Sequence, residues 1–481
     1  MLIALTLLLA APVMAGDPPE KLDSRVARYE LGLRLRALEG AWEVAEAPAK
    51  TRALPALLEA VETFFRFRMA EAAADMDGAC LDLVGEGAEG SARWAASLAL
   101  VPESRLVEPV PAEEEGGLGL ELRTMYAPPA ARPEGATALV RLLGEGGETL
   151  VSSGPHPIPE PPALSLSLPL AGLPAGDHRL VMELDVDGAR LRQVEQGLSI
   201  VPDAAARLER LRGRLDEGAP RSLERETAER LVGLVGELAA GKTLECDHPA
   251  AWMLTEAEHL LDRGEERLLD AERSGLFRLR VPLERGHLDA RLAVPPLEGE
   301  EPRPLVVLMH GAGGSDNLFF EGYGQGLAVR LALERGWVAV APRAPLFGQV
   351  DVAGLVDALA DRYRIDRSAV LLVGHSMGAA QALAAARAEP ELYRGLAAIG
   401  GGRPSSSDGA LAGVPVLVAT GTEDFARPGA EALVGSLEQA GVAVTYDLRP
   451  EIEHLMIVQE CLPEVFGFLE GLVGEAGQRQ R

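Results

Sequence analysis

At 481 residues the chain is too long for one compact core and fits two or three domains of ordinary size. Hydrophobic residues at 47% and charged residues at 25% match a globular protein and argue against long disorder or a fibrous repeat. The 46 Lys+Arg against 73 Asp+Glu give a net charge of -27, which repels nucleic acid and anionic membrane surfaces and speaks for solubility rather than for a specific cation partner.

The chain opens on an uncharged run, residues 2–11, followed by small residues at Val13 and Ala15. That spacing predicts a signal peptide over residues 1–15 and an exported protein, periplasmic or extracellular, with no membrane span after removal of the leader. Cys80, Cys246 and Cys461 are odd in number and far apart, so three buried thiols are expected rather than a disulfide framework or a cysteine-rich zinc site. Residues 20–105 read as a helical region: Leu57, Val61, Phe64, Phe65 and Met69 recur at spacings of three and four, with Gly78 as a stop. Residues 106–202 change period. Leu118, Leu120 and Leu122, then Leu164, Leu166 and Leu168, then Leu180, Met182 and Leu184 alternate with polar residues, and Asp187-Gly188 supplies a hairpin turn. A small immunoglobulin-like β-sandwich is expected there. Residues 203–272 return to helical spacing as a connector, with Asp203 and Ser222 as N-caps.

From residue 273 to about 475 a hairpin is followed by strands and helices in regular alternation, the pattern of a mostly parallel sheet covered by helices. Strands are expected at 304–310, 337–341, 369–373, 396–399, 414–420 and 442–448, with helices near 326–334, 355–363, 377–386, 430–440 and 463–472. The strand at 369–373 runs into Gly374-His375-Ser376-Met377-Gly378 and then into an Ala-rich helix. A bare G-x-S-x-G arises by composition roughly 0.2 times in such a chain, so it is the strand-turn-helix setting that makes the motif informative. In that setting Gly374 and Gly378 permit the sharp turn and Ser376 stands exposed at its tip.

A serine hydroxyl needs a base within hydrogen-bond reach and a third group to orient that base. Asp424 follows the strand at 414–420, and His454 follows the strand at 442–448. The order Ser376, Asp424, His454 is that of a nucleophile, acid and base on such a sheet, with Glu423 and Glu453 as competing carboxylates and Ser315 as a competing nucleophile. Upstream, an apolar strand enters His310-Gly311-Ala312-Gly313-Gly314. This turn lacks the Lys-Ser/Thr of a phosphate loop and suits an oxyanion hole made by the N–H groups of Ala312 and Met377. Neither metal-ligand spacing nor a dinucleotide signature is present, so no metal and no organic cofactor are expected.

With HGAGG, GHSMG, GTED and a late histidine in this order, residues 276–472 resemble the esterase and peptidase branch of the α/β-hydrolase superfamily. The dienelactone-hydrolase-like, polyhydroxybutyrate-depolymerase-like and prolyl-oligopeptidase-like catalytic domains look most similar. Tyr363-Arg364-Ile365-Asp366 looks like the Y-x-I-D lead-in of those groups. The resemblance implies an α/β-hydrolase fold and hydrolysis of a small or oligomeric carboxylic ester through an acyl-enzyme. Serine peptidase or amidase action is the alternative reading, and a non-catalytic binding protein on a hydrolase fold is a third. Two departures stand out: E-I-E-H ends at His454 where relatives often have Gly three residues earlier, and the 400–412 connection is too short for a large helical cap. The upstream helices are therefore expected to pack beside the site or to form an independent module.

Overall fold

The computed structural model describes residues 24–479 apart from 86–88, 218–219, 244, 263–272, 297–298, 300 and 347. The expected leader over residues 1–15 lies outside the described residues, as does the end of the connector at 263–272. Four helices come first: α1 (Ser24–Val44), α2 (Ala47–Phe65), α3 (Met69–Val84) and α4 (Gly90–Ala96). Gly78 does not stop a helix; it sits inside α3 in open space, and the chain instead turns between α2 and α3 through Phe67 at φ 60°. Buried Arg34 on α1 ties this unit together, donating to Glu30 at 2.5 Å, to Asp77 of α3 at 2.9 Å and to the carbonyls of Ala96 and Leu98. A buried guanidinium is tolerable only when its donors are met in this way.

Next comes a two-sheet unit made of β1 (Leu98–Pro102), β2 (Leu106–Val107), β3 (Gly117–Thr124), β4 (Thr137–Leu143), β5 (Thr149–Pro157), β6 (Leu164–Pro169), β7 (Gly176–Val186) and β8 (Ala189–Ile200). The first strand falls inside the range expected to be helical: Leu98–Pro102 pairs antiparallel with β3. One sheet has the order β1-β3-β6 and the other β2-β8-β7-β4-β5, and a buried apolar cluster holding Leu120, Leu122, Leu168, Leu180 and Met182 joins their inner faces. Asp187 and Gly188, both at positive φ, make the two-residue turn from β7 to β8.

Helices α5 (Ala204–Asp216), α6 (Leu223–Ala239) and α7 (Ala250–Asp262) follow. Ser222 caps α6 by accepting from Arg225 N–H at 3.2 Å. Asp203 does not cap α5: its backbone is left-handed and its side chain makes no cap bond. Glu108 does so from a distance, accepting the N–H groups of Asp203 and Ala204 at 2.7 and 2.9 Å.

The remaining elements are β9 (Gly275–Pro282), β10 (His287–Val294), β11 (Arg303–Met309), α8 (Leu318–Glu321), α9 (Tyr323–Glu334), β12 (Val338–Pro342), α10 (Val352–Tyr363), β13 (Ile365–His375), α11 (Met377–Ala388), β14 (Gly395–Ile399), β15 (Val416–Gly421), α12 (Arg427–Gln439), β16 (Val444–Arg449) and α13 (Ile457–Arg479). They build an eight-stranded sheet in the order β9-β10-β12-β11-β13-β14-β15-β16, in which β10 alone runs against its neighbours. Alternating strand residues face opposite sides. Val307, Val340 and Leu372 share a buried cluster with α5, α6, α7 and α10–α12, whereas Val306, Leu308 and Val373 share another with α1–α3, α9 and α13. The upstream helices thus complete both apolar layers of this sheet.

Candidate active site

The turn between β13 and α11 is held by collisions that only glycine avoids. A side chain at Gly374 would stand 2.3 Å from the carbonyl oxygen of Gly378, and one at Gly378 would stand 2.0 Å from that of Met309. Ser376 itself takes φ 55°, ψ -114°, a strained conformation for a residue with a side chain, and its N–H donates to Ile399 O at 2.9 Å. Its side chain stands at the carboxyl end of β13, half-buried in a cavity. Met377 is the first residue of α11, so its N–H has no acceptor within the helix. Ala312 lies in the turn after β11 and lines the same cavity.

The structure brings Ser376, Asp424 and His454 together. His454 Nε2 is 2.9 Å from Ser376 Oγ, and His454 Nδ1 is 2.8 Å from Asp424 Oδ1. A carboxylate can only accept, so the ring proton lies on Nδ1 and Nε2 is left to accept the serine hydroxyl proton. Asp424 is buried and also accepts from Ala426 N–H at 2.8 Å. Burial raises its pKa, but the hydrogen bond and charge of His454 outweigh this and hold it below the usual carboxylate range. The competing groups are engaged elsewhere. Glu423 is exposed and bonds Thr422; Glu453 accepts the N–H groups of Leu455 and Met456 at 2.6 and 2.8 Å; Ser315 is buried and donates to Glu245.

A fold whose central strand ends in this strained turn, with one reversed strand second in the sheet, is sufficient to assign the architecture. From β9 to α13 the chain has the α/β-hydrolase fold. No protein-family model matches the chain. A curated protein named "Putative esterase NocK", from Nocardia uniformis subsp. tsuyamanensis, is 31% identical over 144 residues, which is 27% of this chain and 42% of that protein. The chain therefore spans less than half the length of this curated relative. Among solved structures, a ferulic acid esterase matches 42% of this chain and 98% of its own at 15% identity and a TM-score of 0.37. A hyperthermophilic esterase from the archaeon Pyrobaculum calidifontis matches 42% and 87% at 19% identity and a TM-score of 0.34.

Three residues of the α/β-hydrolase site were not visible in the motifs. Tyr323 is buried, and its hydroxyl joins two turns: it accepts from Gly311 N–H at 3.2 Å and donates to His375 Nδ1 at 2.8 Å. His375 in turn donates its single ring proton, on Nε2, to the carbonyl of His454 at 3.0 Å. Burial first, and the charge of His454 second, push the His375 pKa down to about 3, so this ring is a neutral bridge. Glu39 of α1 fixes Tyr323 by accepting its N–H at 2.7 Å, along a stretch from Tyr323 to Gly326 that is left-handed throughout. Glu245, in the connector, holds Ser315 on one oxygen and Arg28 of α1 on the other at 3.0 Å, and Arg28 also donates to Gly313 O at 3.2 Å. The Gly322 and Gly324 that flank Tyr323 were the available signal for a tight approach; nothing local marks Glu39 or Glu245.

The upstream helices wall the cavity, which measures about 350 Å³. Leu31 and Leu35 of α1, Ala60, Val61 and Phe64 of α2 and Met76 of α3 face it together with Ser376 and His454. Phe65 of α2 meets Phe425 edge-on at 6.1 Å, and Phe425 lies 4.1 Å from the His454 ring. Among the described residues no cluster of three His, Cys, Asp or Glu side chains is placed to hold a metal ion, and no helix is long and apolar enough to cross a membrane.

Proposed function

We propose that this chain is an exported serine hydrolase that cleaves carboxylic esters. The observation that carries the reading is the continuous bridge from Ser376 through His454 to buried Asp424, opening on a cavity. Ser376 Oγ attacks the ester carbonyl carbon while His454 Nε2 takes its proton, and the oxygen gains charge facing the N–H groups of Ala312 and Met377. His454 then gives that proton to the departing alkoxide, leaving an acyl-enzyme and an alcohol. Water, deprotonated by the same nitrogen, attacks the acyl carbon, and the carboxylic acid leaves as Ser376 recovers its proton. Asp424 keeps the imidazole in the accepting tautomer and stabilises its protonated form. Glycines at 374 and 378 hold the turn. The name of the curated relative, a putative esterase, supports the ester class, and the apolar run at residues 2–11 supports export.

Kinetics on p-nitrophenyl acetate and on an aminoacyl p-nitroanilide test this. Ser376→Ala should lower kcat by about 10⁴-fold or more with the fold retained. Turnover of the anilide but not of the ester would replace the esterase reading with a peptidase or amidase one, and full activity in Ser376→Ala would remove the nucleophile assignment.

A further inference from the structure

Resting on the serine-hydrolase reading of Ser376, we propose that α1–α3 form the acyl pocket and that the substrate is an ester with an uncharged, apolar acyl group of medium length. The walls about the cavity are of two kinds, exposed and enclosed. Beside His454, where the alcohol must collect its proton, stand Phe425 and Phe65, which are 62% and 43% exposed. That exposed side suits the leaving group. Elsewhere in the lining Leu31, Ala60 and Met76 are each less than a tenth exposed. This enclosed part is built by the upstream helices beside the turn at Gly311–Gly314, and it is assigned to the acyl group, whose carbonyl oxygen would face Ala312 and Met377. Phe64 closes on that turn so tightly that a side chain on Gly313 would stand 2.8 Å from its ring.

The chemistry of the wall fixes the class of acyl group. The eight hydrophobic side chains that α1–α3 contribute to the lining offer neither charge nor hydrogen bond. The guanidinium in the lining, that of Arg28, is already held by Glu245, whose other oxygen takes the Ser315 proton. An acyl group ending in a carboxylate would therefore lose its hydration among apolar side chains and beside the carboxylate of Glu245, which already holds that guanidinium. An alkyl or aryl-alkyl group gains with each buried methylene, by about fourfold in kcat/KM.

The test is a series of p-nitrophenyl esters from acetate to octanoate, with the ω-carboxylate counterpart of the octanoate, run beside fluorophosphonate labelling. The expected result is a kcat/KM that climbs with acyl length to the octanoate, and a carboxylate-ended ester at least tenfold poorer. Val61→Phe and Leu35→Phe, which fill the pocket from α2 and from α1, should each lower the octanoate-to-acetate ratio of kcat/KM tenfold or more. Labelling of Ser376 reports whether each variant keeps a folded site; should one lose it, the other variant and the wild-type series decide. A flat or falling wild-type series, or ratios unmoved in variants that still label, overturns the acyl-pocket proposal while the nucleophile stands. A wild-type protein that does not label at Ser376 overturns the serine-hydrolase reading instead.

Discussion

The part from β9 onward and the helices before it contribute to one site in different ways. In the first, the proposed function sits in residues whose chemistry dictates their type: a hydroxyl, an imidazole and a carboxylate at strand ends, with glycines where a side chain would strike backbone at 2.0–2.3 Å. In the second, function sits in shape and in long-range support, as when Glu39 of α1 holds Tyr323 from 284 positions away in sequence. The first kind of contribution leaves a motif; the second leaves only helical periodicity, because any well-fitting apolar wall or any carboxylate at the right point would serve. The contrast also bears on stability. Both faces of the eight-stranded sheet share buried clusters with upstream helices, so each part covers apolar surface of the other.

The strongest way to break that comparison is to remove the upstream part. A chain starting at Arg273 uncovers the layer facing α1–α3 and the layer facing α5–α7 together, and it should be insoluble or bind hydrophobic dye without a cooperative melt. A soluble, cooperatively melting product with esterase activity would mean that the upstream helices are an accessory module. Next in size is the acid. Asp424→Asn should lower kcat by about 10⁴-fold because the other imidazole tautomer is then favoured, whereas Glu423→Gln, on an exposed side chain, should change it less than about twofold. Steady-state kinetics on one ester read both, and reversed effects would move the acid by one position.

The smallest effect concerns support at a distance. Burial pushes the Glu39 carboxyl up to about 7 from its ordinary value, against the N–H groups of Tyr323, Gln325 and Gly324. Between about pH 4.5 and 7 the folded chain keeps a proton that the unfolded chain releases, so this group's contribution to stability falls as pH rises through that window. Glutamine does not titrate. The difference in Tm between Glu39→Gln and wild type should therefore grow from pH 4.5 to 7.5, corresponding to no more than about 3 kcal/mol. Glu453, raised to about 7 by the same cause, titrates in both proteins and cancels in the difference. A difference that stays flat with pH would show Glu39 ionised throughout.

Much of the hydrolase part was legible because its constraints are local. Each expected strand lies within a few residues of its observed bounds, and Asp424 and His454 stand on the loops where the alternation of strand and helix put them. The E-I-E-H departure resolves in the same way: Glu451, three residues before His454, takes φ 55°, the left-handed conformation that glycine would supply, with its N–H on Thr422 Oγ1 at 2.9 Å. What could not be read depended on distant partners. Asp203 has the right type for a cap, but Glu108 occupies that role; Gly78 looks like a stop, but α3 continues through it. Leu98–Pro102 continued the apolar run of a helix and became a strand because β3 was there to pair with it.

The central claim is that Ser376 carries the acyl group. The most direct measurement is acid quench of the protein during turnover of p-nitrophenyl octanoate, followed by peptide mass mapping. An octanoyl mass increment on the peptide containing Ser376, absent in Ser376→Ala and accumulating in a burst with p-nitrophenol, is the result this account predicts. A burst with the increment on another residue, or turnover with no covalent intermediate in Ser376→Ala at the wild-type rate, would contradict it.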